Sequence, residues 1–172
     1  MATSYPRLLV LVAGLVLAAS VQAGTPAGLM TLDGRAAPEL VLTGADLGKF
    51  DLQSQRGKWV LVHFWASWCG PCRKELPTIQ RMAKQIDQNK LKVVMINTAE
   101  TEDEVFIFLS SIAPDLESYL DRDGSITERW QPRGLPSSFF VDPQGKLRYL
   151  ALGGRPWDQE AYLDFVRGLY AR

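Results

Sequence analysis

Cysteine and histidine are scarce in this chain: among 172 residues there are two cysteines, Cys69 and Cys72, and one histidine, His63. Two cysteines cannot supply the several cross-links that hold a small disulfide-built scaffold together. Beyond them a structural zinc site needs two more ligands, and the chain offers one histidine and no further cysteine. Charge of one sign is lacking too, since 19 basic and 19 acidic side chains cancel. Nothing in that balance suggests a polybasic surface for nucleic acid or anionic lipid. There is no internal repeat and no low-complexity tract. The longest apolar run, Leu8 to Ala19, falls short of the ~20 residues that cross a bilayer comfortably.

That run follows Arg7 and precedes Val21-Gln22-Ala23, an arrangement of charge, apolar stretch and small residues that predicts a secretory signal peptide over residues 1–23. An uncleaved N-terminal membrane anchor is the alternative, and no cysteine follows to carry a lipid. The reading places the protein outside the cytoplasm, periplasmic or otherwise exported, soluble or tethered. The remaining chain carries 18 basic and 19 acidic side chains and is long enough for one domain with a real core. Residues 24–37, rich in Gly, Ala, Thr and Pro, read as a flexible leader, and the domain is expected over 38–172.

Both cysteines fall in Cys69-Gly70-Pro71-Cys72, after a strand-like run and at the start of a helical pattern. Thiols at this spacing can form and break a disulfide between themselves, and the unpaired N–H groups of a helix start favour a thiolate at Cys69. Cys69 is therefore the expected attacking thiolate, and Cys72, one turn further in, the resolving thiol. A structural disulfide is the bland alternative, but so small a loop restricts the unfolded chain little.

Along the chain, Glu39–Leu42 and Lys49–Leu52 flank a turn-rich stretch and read as a hairpin. Trp59 to Ala66 and Lys92 to Asn97 are continuous apolar runs suited to a sheet covered on both faces. Between them Leu76, Ile79, Met82, Ala83 and Ile86 recur at helical spacing from Gly70 to about Gln88, with Pro77 expected to kink that helix. Glu102 to Ile112 reads as the next helix, with Val105, Phe106, Leu109 and Ile112 inward. Strand, helix, strand, helix argues a parallel α/β arrangement. Ser137–Val141 and Lys146–Leu152 then flank Asp142-Pro143-Gln144-Gly145 as an antiparallel hairpin, and Trp157 to Tyr170 closes the chain as an amphipathic helix.

The segment Val62-His63-Phe64-Trp65-Ala66-Ser67-Trp68-Cys69-Gly70-Pro71-Cys72-Arg73-Lys74-Glu75-Leu76-Pro77, followed by Gly134-Leu135-Pro136-Ser137-Ser138-Phe139-Phe140-Val141-Asp142, resembles the thioredoxin fold in its exported TlpA-like or ResA-like form. The resemblance covers residues 36–170 or so. It implies a central mixed β-sheet flanked by helices with an N-terminal β-hairpin extension. It also implies an extracytoplasmic thiol–disulfide oxidoreductase that needs no cofactor, reduces disulfides in partner proteins such as apocytochromes c or copper-site proteins, and is recharged by a membrane thiol reductase.

The same resemblance assigns further residues. It places the carboxyl of Glu75 near the cysteines, where it would raise a thiol pKa; otherwise Glu75 is a carboxylate favoured by the helix start. Pro136 matches a cis-proline facing the pair, with the backbone of Leu135 available to an extended substrate segment. Trp68 offers an apolar docking rim, while Trp65, Trp130 and Trp157 read as packing residues. His63 departs from the pattern, which has Asp or Asn there. It is either a proton acceptor for Cys72 or a satisfied core histidine, and strand alternation alone does not say which face it occupies. The acidic run Glu100, Glu102, Asp103, Glu104 reads as a solvated helix start with no site.

Three other functions use the same residues differently. An oxidase or isomerase would run the pair the other way, against which the Gly-Pro dipeptide weighs. A thiol peroxidase would want a cysteine in a distinct Pro/Thr-containing loop, and none is present. A Cu(I) chaperone would hold copper between the thiolates, with only Met30, Met82 and Met95 as further soft ligands after residue 23, two of them core-like.

Overall fold

A computed structural model describes residues 24–171. The expected signal peptide lies outside the described residues. No helix among those described is long and apolar enough to cross a membrane.

The strands are β1 (Leu29–Thr31), β2 (Val41–Gly44), β3 (Gly48–Asp51), β4 (Trp59–Trp65), β5 (Leu91–Thr98), β6 (Tyr119–Asp121), β7 (Ser137–Val141) and β8 (Leu147–Leu152). The helices are α1 (Gly70–Ala83), α2 (Glu102–Ile112), α3 (Ser125–Trp130) and α4 (Glu160–Tyr170). Six strands form one mixed sheet in the order β1-β8-β7-β4-β5-β6, while β2 and β3 pair only with each other. β4, β5 and β6 run parallel; β7, β8 and β1 are antiparallel to their neighbours.

The continuous apolar runs arise because both faces of this sheet are covered. From β4, Leu61 and Trp65 join α1, α2 and α4 in one core, whereas Val60, Val62 and Phe64 point the other way, into a core closed by the β2–β3 hairpin and Trp130 of α3. The expected mixed sheet with its hairpin extension is thus the architecture observed.

Four local expectations are corrected. The supposed leader is tied down: Leu29–Thr31 pairs with β8, Ala36 bridges Lys146, and the Leu32 and Ala37 N–H groups donate to Arg148 and Gly145. An edge strand leaves unpaired backbone groups, and this segment satisfies those of β8. Helix α1 ends at Ala83, and a tighter turn from Met82 to Gln85 brings Ile86 back into the core, so the periodicity outlasts the helix. In α2 the buried set is Val105, Phe108 and Leu109, with Phe106 left 70% exposed, because the inward stripe steps by three and four from Val105. Helix α4 begins at Glu160, after a turn through Trp157.

Candidate active site

β4 delivers its last residues to one end of the sheet, and the chain turns through Ser67 and Trp68 into α1. Cys69 is the N-cap of that helix, its sulfur accepting from the Cys72 N–H at 3.3 Å. Pro71 costs nothing here, since N–H groups in the first turn have no helical partner. Cys69 and Cys72 are joined by a disulfide, with Cα atoms 5.3 Å apart. Cys72 is fully buried and Cys69 nearly so, while Trp68 beside them is 67% exposed. Of the two sulfur-bearing residues, Cys69 is the more accessible.

The turn is pinned by a residue that the sequence reading placed in solvent. Glu100 is buried, accepts from the Ser67 N–H at 2.7 Å and from the Ser67 hydroxyl, and takes a third bond from Asn97 Nδ2 at 2.6 Å. The remaining acidic residues of that run are exposed, and Thr101 with Glu104 forms a capping box for α2. What turns Glu100 inward is Ala99, held at φ 60° as β5 ends, a backbone feature with no glycine to announce it.

Beneath the disulfide, α1 presents Cys72, Glu75, Leu76, Ile79 and Met82 to the sheet. Glu75 is buried; its Oε1 accepts from the Arg155 N–H at 3.0 Å and from the indole N–H of Trp157. Trp157 is thus a hydrogen-bonding partner as well as a packing residue. Glu75 Oε2 has no partner and lies 3.8 Å from His63 Nε2, which has none either. His63 therefore occupies the α1 face of β4, the point that alternation alone left open. Its Nδ1 is 2.8 Å from the hydroxyl of Ser138, its cross-strand partner on β7.

At 3.8 Å the two groups are within ion-pair reach, but burial works against charge on both. Loss of solvent pulls the His63 pKa from 6.5 to about 3. It pushes Glu75 from 4.5 up to about 7, against the opposing pull of the Arg155 N–H, the Trp157 bond and the Arg155 charge. Both shifts favour a carboxylic acid facing a neutral imidazole over an ion pair.

Leu135–Pro136 is a cis peptide bond, and Pro136 is buried. Ser137 pairs with Phe64, so Pro136 stands at the same end of the sheet as the cysteine turn. Leu135 is half-buried and packs against both cores. Met82 and Met95 are buried in the core, as expected, and Met30 sits on edge strand β1.

Comparison with known proteins agrees with this geometry. Residues 34–150 match the AhpC/TSA family. The chain is 29% identical over 121 residues to thiol-disulfide oxidoreductase ResA of Bacillus subtilis, covering 70% of this chain and 68% of that protein. It is 30% identical over 124 residues to the thioredoxin-like protein YneN of the same species, covering 70% and 72%. A Chlorobium tepidum structure assigned as thiol:disulfide interchange protein DsbE superposes with a TM-score of 0.70 at 30% identity, over 81% of this chain and 99% of that one. The buried Cys69–Cys72 disulfide on a thioredoxin-like sheet and these relatives lead to one conclusion: the chain belongs to the AhpC/TSA family, as a thioredoxin-like thiol–disulfide oxidoreductase of the ResA/DsbE kind.

Proposed function

We propose that this protein works outside the cytoplasm as a reductant of disulfides in partner proteins, of the kind that must be opened before haem attachment to an apocytochrome c or assembly of a copper site. The Cys69 thiolate attacks one sulfur of the partner disulfide, forming a mixed disulfide and releasing a partner thiolate that takes up a proton. Cys72 loses its proton, attacks Cys69 Sγ, and expels the second partner thiol. Two electrons and two protons pass to the partner, and the Cys69–Cys72 disulfide forms. A membrane thiol reductase on the same side of the bilayer would restore the dithiol.

The observation that carries the direction is the buried Glu75 carboxyl one helical turn from Cys72. Strong oxidants owe their potential to a stabilised thiolate in the reduced form. A buried acid that becomes anionic near pH 7 has the opposite effect. Trp68 would meet the partner, and the Leu135 backbone would pair with its extended segment. The signal-like residues 1–23 support export.

Trapping tests the reading directly. Reduced Cys72→Ala protein, incubated with a disulfide-bearing haem-binding-motif peptide, is expected to accumulate a mixed disulfide through Cys69, and the unaltered protein to release reduced peptide. No adduct and no reduced peptide would overturn it.

A further inference from the structure

Two buried polar atoms without partners face each other across the α1–β4 interface: His63 Nε2 and Glu75 Oε2. Each orphan carries the desolvation penalty of a buried polar atom for as long as it stays unsatisfied. One proton between them satisfies both, after the side chains close from 3.8 Å to hydrogen-bond range. That proton can belong to either side. If Glu75 is protonated, its Oε2–H donates to Nε2, and the imidazole proton must sit on Nδ1, donating to Ser138 Oγ. If Glu75 is ionised, Nε2–H donates to the carboxylate, and Nδ1 must accept from the Ser138 hydroxyl. A hydroxyl serves both arrangements because it is donor and acceptor at once.

We propose that Ser138, His63 and Glu75 form a one-proton relay in which the tautomer of His63 follows the ionisation of Glu75, with Ser138 the positioning residue that permits both tautomers. The two states differ by one proton: Glu75 acid with Nδ1–H imidazole becomes Glu75 carboxylate with Nε2–H imidazole, and one proton leaves. The imidazole stays neutral in both. Between the two states the Glu75 proton passes to Nε2 and the Nδ1 proton to Ser138 Oγ, whose own hydroxyl proton is the one released, while a cleft of about 310 Å³ lined by Lys74, Glu75, Thr78 and Arg155 opens on the Glu75 side. Glu75 is therefore buried yet reachable, and burial costs it no hydrogen bond in either state.

The groups facing this unit are few. From β4 comes His63 and from β7 Ser138. From α1 come Cys72, in the disulfide, and Lys74 at the cleft. From the segment after β8 comes Arg155, whose charge opposes protonation of Glu75 although its guanidinium bonds the carbonyls of Gly28, Leu152 and Gly154. The value of the relay to the enzyme rests on the exchange reaction proposed above, in which Cys72 must give up a proton beside this pair. Its existence can be read on the oxidised protein with no partner present.

The lone histidine makes the test unambiguous. Two-bond ¹H–¹⁵N correlations of the labelled, oxidised full chain, followed from about pH 5 to about 9, report which ring nitrogen carries the proton. An Nδ1–H form giving way to an Nε2–H form, with a midpoint near the value of about 7 for Glu75, is expected. Glu75→Gln should abolish the pH dependence. Ser138→Ala takes from Nδ1 its acceptor in the acid state and its donor in the ionised state, so the Nδ1 chemical shift should lose its hydrogen-bonded value at both ends of the titration. Ser138→Thr, which keeps the hydroxyl, should restore it. A single tautomer throughout, or a doubly protonated ring above pH 5, would overturn the relay. An Nδ1 shift that Ser138→Ala leaves unmoved at both ends of the titration would remove Ser138 from it. Loss of peptide reduction with an intact tautomer switch would fault the functional reading alone.

Discussion

Glu75 and His63 carry opposite potential charges, and burial strips both, so their effects on stability oppose each other. His63 has its folded pKa lowered from 6.5 to about 3, so between these values the unfolded chain binds more protons and stability rises with pH. Glu75 has its folded pKa raised from 4.5 to about 7, so between those values the folded chain binds more protons and stability falls as pH rises. In the overlap the two slopes cancel. Glu75→Gln should therefore gain unfolding free energy relative to the unaltered protein, on the order of 3 kcal/mol, as pH rises through the Glu75 window. Urea titrations at several pH values would show it, and a constant difference would remove Glu75 from the account. The same substitution deletes a negative charge near Cys72, so the thiol titration of the reduced protein, followed by thiolate absorbance, should shift down by about one unit above pH 7. Of these residues, the cysteines were legible from spacing alone. His63 was legible as an oddity only, since its role depends on Ser138 and Glu75, distant in sequence and joined by the strand register. Arg155 gave no sequence signal and Trp157 read only as packing, because both reach Glu75 from a turn with no periodic pattern.

At the scale of elements, α1 carries the chemistry at its first turn and the packing along its length. Leu76, Ile79 and Met82 anchor it to the sheet, and all are fully buried. Leu76→Ala is expected to cost about 2–5 kcal/mol in denaturant unfolding, as for other fully buried leucines. The turn before the helix depends on Glu100 at the end of β5. Glu100→Ala leaves the Ser67 N–H and the Asn97 amide without their acceptor, and should cost about 1–3 kcal/mol of stability. It should also slow attack by Cys69 on a protein disulfide in stopped-flow measurements, while an unchanged rate would make Glu100 purely a packing residue. The helix periodicity and the Gly-Pro start made α1 readable from sequence. The inward turn of Glu100 was not, because it is produced by an alanine in a left-handed conformation, which local composition does not reveal.

For the whole molecule, the alternation of strands and helices, the Asp142–Gly145 turn and the double-sided apolar runs made a parallel sheet and an antiparallel hairpin legible, and the thioredoxin resemblance joined them in one mixed sheet. The edge strand β1 was missed because its Gly- and Thr-rich setting resembles a linker, and its order comes from the β8 edge rather than from its own propensity. The fold leaves Trp68 exposed beside a nearly covered disulfide, where the proposed docking of a partner would meet it. Trp68→Ala is expected to lower kcat/KM for a protein disulfide about tenfold more than for a small-molecule disulfide, and equal losses would place Trp68 outside the docking surface. The central claim, that this molecule passes electrons outward to partner disulfides, is tested most directly by the equilibrium reduction potential of the Cys69/Cys72 pair in dithiothreitol redox buffers. The account requires a value near or below the roughly −270 mV of thioredoxin, and a value near the roughly −120 mV of a strong periplasmic oxidant would contradict it.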